Sequence, residues 1–159
     1  MPQAQSPIAL ISDVHANHEA FGAVIADIRS RGIERIINLG DIVGYGPDPE
    51  ACVDRAQKVC SVHLCGNHDY AVLHSAEGFN PVARAAVEFV RRRMEPDPEN
   101  PDPDKVRRWE YLEELEPLYE DAAYDMEVMH ASPRQPITEY VLPSDPEMDP
   151  FKIQEIFQA

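Results

Sequence analysis

Asp13 and His15 stand two residues apart in "SDVHANH", and Asp41 follows Gly40 in "LGDIVGYG". Asn67, His68 and Asp69 are consecutive in "CGNHDY", and His130 closes the run "EVMH". Carboxylate, imidazole and amide donors of this kind suit Mn, Fe, Zn, Co or Ni better than a thiolate-seeking metal. On an extended chain, Asp-x-His spacing puts Asp13 and His15 on one side, where both can grip one ion. Asp41 has two oxygens with which to bridge two ions. Asn67 offers a neutral amide oxygen, and His130 a second imidazole. Two ions about 3.5–4 Å apart clamp a phosphoryl group and generate hydroxide near neutral pH. His68 then remains to donate a proton or hydrogen bond to a leaving oxygen, with Asp69 holding its ring.

Each of these sets follows an apolar run that reads as a strand. Residues 7–12 and 33–39 form two such runs, and "VCSVHLC" a third. Between the first two, Phe21, Val24, Ile25 and Ile28 recur at helical spacing until Gly32. A short helix opened by Asp48 and Pro49 precedes the third run. This alternation predicts parallel strands with right-handed crossovers in an α/β fold. A fourth strand leads into His130. Open α/β sheets bind ligands at the carboxyl ends of their strands, so one rim receives all four sets.

Further along, "NPVARAAVEFVRRRM" reads as a helix capped by Asn80, and "DKVRRWEYLEEL" as another. Proline-acid loops are expected at 95–104 and 143–150, with a last helix in "FKIQEIF". The 159 residues suit a single domain, 1–159, with 43% apolar content. No apolar run reaches transmembrane length and no signal-peptide pattern opens the chain, so a cytoplasmic protein without a membrane partner is expected. Cys52, Cys60 and Cys65 lack Cys-x-x-Cys spacing and read as reduced, buried thiols. The net charge of −15 opposes binding to a phosphate backbone, yet bound cations can reverse the local field for a small phosphorylated substrate.

Taken singly, each set has a plainer reading. Asp13 and His15 suit a cap and a loop, Asp41 a turn acid, and Asn67 to Asp69 an Asx-type turn. Jointly they favour a dinuclear centre. His63 reads as a structural histidine, His74 as a loop residue and His18 as a helix start. Tyr45, between Gly44 and Gly46 just past Asp41, is a candidate contact to a substrate base or phenyl group. "RRRM" reads as a helix end favoured by the dipole, not as a nucleic-acid patch.

"DVH", "GD", "GNHD" and "MHASP", in this order and spacing, resemble the calcineurin-like metallophosphoesterases, and "GDIVGYGPDP" the small prokaryotic phosphodiesterase or phosphatase branch. The resemblance runs from about Ala9 to Pro133. It implies an α/β/β/α sandwich of four layers, incomplete here at the C-terminus. It implies that Asp13, His15 and Asp41 hold a first metal, and Asp41, Asn67 and His130 a second. The metals would be two divalent ions, Mn foremost, with Fe, Zn, Ni or Co as alternatives. His68 would be the catalytic histidine. Ala131 stands where the family usually has glycine. The family's closing Gly-His-x-His has no counterpart, since no histidine follows His130.

The resemblance implies metal-dependent hydrolysis of a phosphate monoester or diester. The alternative is a metal-binding remnant or regulatory subunit lacking the last two histidine ligands. A nuclease fits the acidic charge poorly. A C-terminally truncated domain is expected to leave an apolar sheet face and an unpaired edge open, which would favour homo-oligomers through that edge.

Overall fold

The computed structural model describes residues 6–158. Strands β1 (Ile8–Ile11), β2 (Arg35–Asn38) and β3 (Val62–His63) form a parallel sheet in the order β1-β2-β3. Helix α1 (His18–Ser30) crosses from β1 to β2, and α2 (Pro49–Val59) from β2 to β3. Then follow α3 (Asn67–Leu73), α4 (Pro81–Met94) and α5 (Pro103–Glu113). An antiparallel hairpin of β4 (Leu118–Asp121) and β5 (Met126–Met129) comes next, and α6 (Asp145–Met148) and α7 (Pro150–Ile156) close the described chain.

Alternation along the strands sorts the two sheet faces. Ile36 faces a core built from helices α1 to α5, including Phe21, Val53, Val72, Val90 and Leu112. Its neighbour Ile37 faces the other way, against Leu64 and Val128, so the hairpin packs on the opposite face. Helices, parallel sheet and hairpin thus stack as the α/β/β part of the expected order. Arg35 ties the second layer down: its guanidinium pairs with buried Asp121 at 2.5 Å and donates to Tyr119 Oη at 3.0 Å. On the same face Leu10 is 48% exposed, and β1 has only β2 as a strand neighbour among the described residues.

Several elements differ from the sequence expectation. Helix α1 starts at His18, as expected for that residue, but three residues inside the helical segment expected from His15, because Asn17 caps it by accepting Ala20 N–H at 3.0 Å. Residues 13–16 therefore lie outside the helix. The third strand is only two residues long, although Leu64 continues it as a bridge to Glu116. The fourth strand belongs to the hairpin, not to the parallel sheet. Its partner β4 has no apolar run, alternating Leu118 and Glu120 with Tyr119 and Asp121. Pro103 opens α5 rather than ending a loop, and α6 forms one turn inside the second proline-acid stretch. Among the described residues no helix is long and apolar enough to cross a membrane.

Candidate active site

Asp13 and His15 do not lie on an extended chain. Both sit at positive φ, at 57° and 48°, as do Ala16 at 55° and Asp41 at 56°. Such values strain non-glycine residues and are held only where the surroundings over-determine them. Here backbone bonds do so. Asp13 N–H donates to Gly40 O at 3.1 Å, His15 N–H to Asp41 O at 2.9 Å and Ala16 N–H to Ile42 O at 3.0 Å. The loop after β1 is stitched onto the loop after β2, and that brings the side chains together. Gly44 keeps the space open: a Cβ there would lie 2.8 Å from His68 Nδ1 and 2.9 Å from His15 Nδ1.

The centre of the cluster is Asp41, 2% exposed. Its Oδ1 accepts His68 N–H at 2.8 Å. Its Oδ2 faces two imidazoles, 3.6 Å from His15 Nε2 and 3.7 Å from His130 Nε2. The single oxygen Oδ2, rather than the carboxylate's two oxygens, therefore meets both rings. His15 Nε2 also lies 3.5 Å from Asp13 Oδ1, and His130 Nε2 lies 3.1 Å from Asn67 Oδ1. The far nitrogens are taken: His15 Nδ1 bonds Val43 O at 3.2 Å and His130 Nδ1 bonds Leu39 O at 3.2 Å. A carbonyl can only accept, so each Nδ1 carries a proton, and Nε2 is the nitrogen each ring turns toward carboxylate and amide oxygens as a potential metal ligand.

Lone pairs that face one another at this range are repulsive without a cation among them. Two donors, each about 2.1 Å from one ion, lie about 3.0–3.4 Å apart. The observed separations come close to that, so the donor set fits divalent metal ions. Asp13, Asp41 and His130 offer ligand atoms within 4.8 Å of one another, and so do His15, Asp41 and His68. This grouping differs from the one the resemblance implies, since it places His15 with His68 and Asp13 with His130. Burial pushes the Asp41 carboxyl up, and the Asp13 charge adds to it. Crowded, raised carboxylates of this kind mark a site that gains from positive charge.

His68 is buried in the first turn of α3, a helix where the sequence suggested only a turn. Among the described residues its Nδ1 has no hydrogen-bond partner. Burial, then the neighbouring His15 and His130, lower its pKa to about 4, so the ring is neutral near pH 7. The expectation that Asp69 orients this ring is corrected. Asp69 Oδ2 accepts N–H from Asp41 at 2.7 Å, Gly66 at 3.0 Å and Ile42 at 3.4 Å, while Oδ1 accepts Val43 N–H at 3.1 Å. Its carboxylate is spent on the backbone. As third residue of α3 it also satisfies an N–H at the helix start.

The remaining histidines lie elsewhere. His63 shares a hydrogen bond of 2.9 Å with Tyr111 Oη, His74 packs on Tyr70, and the His18 carbonyl accepts Arg55. In "RRRM", Arg91 donates to the Ala71, Val72 and His74 carbonyls at the end of α3, and Arg93 pairs with Glu50. Sequence reasoning missed the cavity walls. Phe79, Thr138 and Tyr140 border the cluster, in loops whose composition carries no periodic signal.

Fold and cluster together define a metal-binding α/β protein of the phosphoesterase type. The model of the calcineurin-like phosphoesterases matches residues 6–151, and the chain belongs to that family. It is 37% identical over 144 residues to MJ0912, an uncharacterized protein of Methanocaldococcus jannaschii, across 87% of this chain and 55% of that one. It also resembles the crystal structure of a metallophosphoesterase from Sphaerobacter thermophilus, at 39% identity and a TM-score of 0.66. That match covers 84% of this chain and 50% of the other. The chain thus spans about half the length of both relatives.

Proposed function

We propose that this chain hydrolyses a small phosphate ester, monoester or diester, with two divalent metal ions held around Asp41, manganese foremost. The observation that carries the reading is Asp41 Oδ2 facing the Nε2 atoms of both His15 and His130, each ring fixed by a backbone carbonyl behind it. Asp13 and Asn67 would complete the set. When bound, the ions supply positive charge for the phosphoryl oxygens and make hydroxide available near neutral pH.

The chain's own residues do the rest. Asp41 sits in a rigid frame, because its backbone and its Oδ1 are both hydrogen-bonded. His68 borders a cavity beside Asn67, and since its Nδ1 is buried without a hydrogen-bond partner among the described residues, Nε2 is the ring nitrogen left to meet substrate. An N–H from that ring suits the ester oxygen as its bond to phosphorus breaks. The net charge of −15 favours a small substrate over a nucleic acid.

Hydrolysis of bis-p-nitrophenyl phosphate and p-nitrophenyl phosphate with added Mn²⁺ tests the proposal. Metal-dependent turnover is expected, falling about 100-fold or more in Asp41→Asn. Absence of turnover from folded, Mn²⁺-bound protein would contradict it, and so would equal turnover by the variant.

A further inference from the structure

Two cavities meet at the metal-binding cluster, and their linings are unlike. One, of 220 Å³, is bordered by Asp13, Asn67 and His130 and by the loop that carries Ile137 to Val141. The other, of 330 Å³, is bordered by Asn67, His68, Tyr45, Phe79 and Tyr140. Asn67, Thr138 and Tyr140 line both. His68 lines only the second, so the leaving side of a bound ester faces the second cavity.

Aromatic rings surround His68 on that side. Its centroid lies 4.6 Å from Tyr45, tilted by 52°, and 5.0 Å from Phe79, edge to face. Tyr45 is 51% exposed and Tyr140 68% exposed, and both line the cavity rather than the core. Tyr45 also sits at φ 21°, a conformation unusual for a side chain of its size. The glycines on either side let the chain hold it there. No lysine or arginine borders either cavity among the described residues, whereas Glu77 borders one and Glu139 the other. No cationic side chain in these walls would hold the further phosphates of a polyphosphate chain, and Glu77 would repel them, whereas Glu139 is paired with Arg134.

We propose that the Tyr45–Phe79–Tyr140 cleft binds a flat, uncharged aromatic leaving group, such as an aryl or nucleoside moiety on a single phosphate. The proposal rests on the phosphoesterase reading above and narrows its substrate class. Rings stack edge to face or offset at these separations, and a cleft without cationic side chains, bordered by Glu77, disfavours a further anionic group.

Binding to non-hydrolysable ligands separates the two claims. Calorimetric titration of Mn²⁺-loaded protein would compare phenylphosphonate, methylphosphonate and methylenediphosphonate. Phenylphosphonate is expected to bind about 10-fold more tightly than methylphosphonate, with methylenediphosphonate gaining nothing beyond the metal-facing phosphonate. The phenyl preference should shrink to about 3-fold or less in Tyr140→Ala and in Phe79→Leu, with methylphosphonate affinity kept. Two variants are used because Phe79 also packs against the core, while Tyr140 is exposed. Equal binding of phenyl and methyl ligands, or a preference intact in both variants, would overturn the cleft and leave the phosphoesterase reading standing. Failure of every phosphonate to bind would overturn both.

Discussion

The Asp69 carboxylate accepts the backbone N–H of Asp41 at 2.7 Å, so the acid of "GNHD" positions the acid of "GD". Two loops from different strand ends become one rigid unit through this bond and its companions to Ile42, Val43 and Gly66. Asp69 therefore acts through Asp41 rather than through His68. Burial and then the Asp41 charge push its carboxyl up, which makes four backbone donors a necessary counterweight.

Asp69→Asn should be destabilising. One carboxylate oxygen becomes an amide NH₂ that faces N–H groups, leaving buried donors unpaired. The expected loss is about 2–4 kcal/mol, read from urea unfolding of the metal-free protein. Metal affinity should fall in the same variant, because the Asp41 loop loosens. A stability within about 0.5 kcal/mol of wild type would contradict the role.

His68→Gln separates a donor from a metal ligand. The structure groups His68 with His15 and Asp41, yet its place beside the second cavity favours contact with the ester. Turnover on bis-p-nitrophenyl phosphate should fall about 100-fold or more, with Mn²⁺ stoichiometry unchanged by calorimetry. Loss of a metal equivalent would make His68 a ligand instead.

Asp54 joins α2 to α5 through Arg108 at 2.7 Å and Arg107 at 2.7 Å. The Arg108 hydrogen bonds lead in lowering its carboxyl from 3.8 to about 2. A depressed carboxyl stabilises the fold above its unfolded value and stops doing so as pH falls through its folded value. The stability difference between wild type and Asp54→Asn should thus be constant above about pH 5, shrink as pH falls through about 4, and vanish below about pH 2. Solvent screening limits it to about 1 kcal/mol. Urea midpoints for both proteins across that range check the sign.

How far the sequence reveals this arrangement depends on the residue. Ile36 and Ile37 lie in an apolar run, and Phe21, Ile25 and Ile28 keep helical spacing, so the parallel β1-β2-β3 sheet and α1 are legible. So is the convergence of Asp13, His15, Asp41, Asn67, His68 and His130, because each follows a strand. The turn at Asp13 to Ala16 is not, since no glycine marks its positive φ and tertiary hydrogen bonds impose it. Nor is the Asp69 role, because its partners are backbone groups far along the chain. Strand β4 escapes notice because its charged residues belong to a half-exposed hairpin, stabilised by Arg35 from another layer.

The most direct measurement is calorimetric titration of the metal-free protein with Mn²⁺, beside Asp41→Asn. The amide oxygen introduced by that substitution can still accept the His68 N–H, so the variant should fold as stably as wild type. Because one Asp41 oxygen meets both imidazoles, the account predicts two Mn²⁺ equivalents in wild type and a joint weakening of both in the variant. A folded Asp41→Asn protein that binds Mn²⁺ as wild type does, or a wild type that binds none, would contradict it.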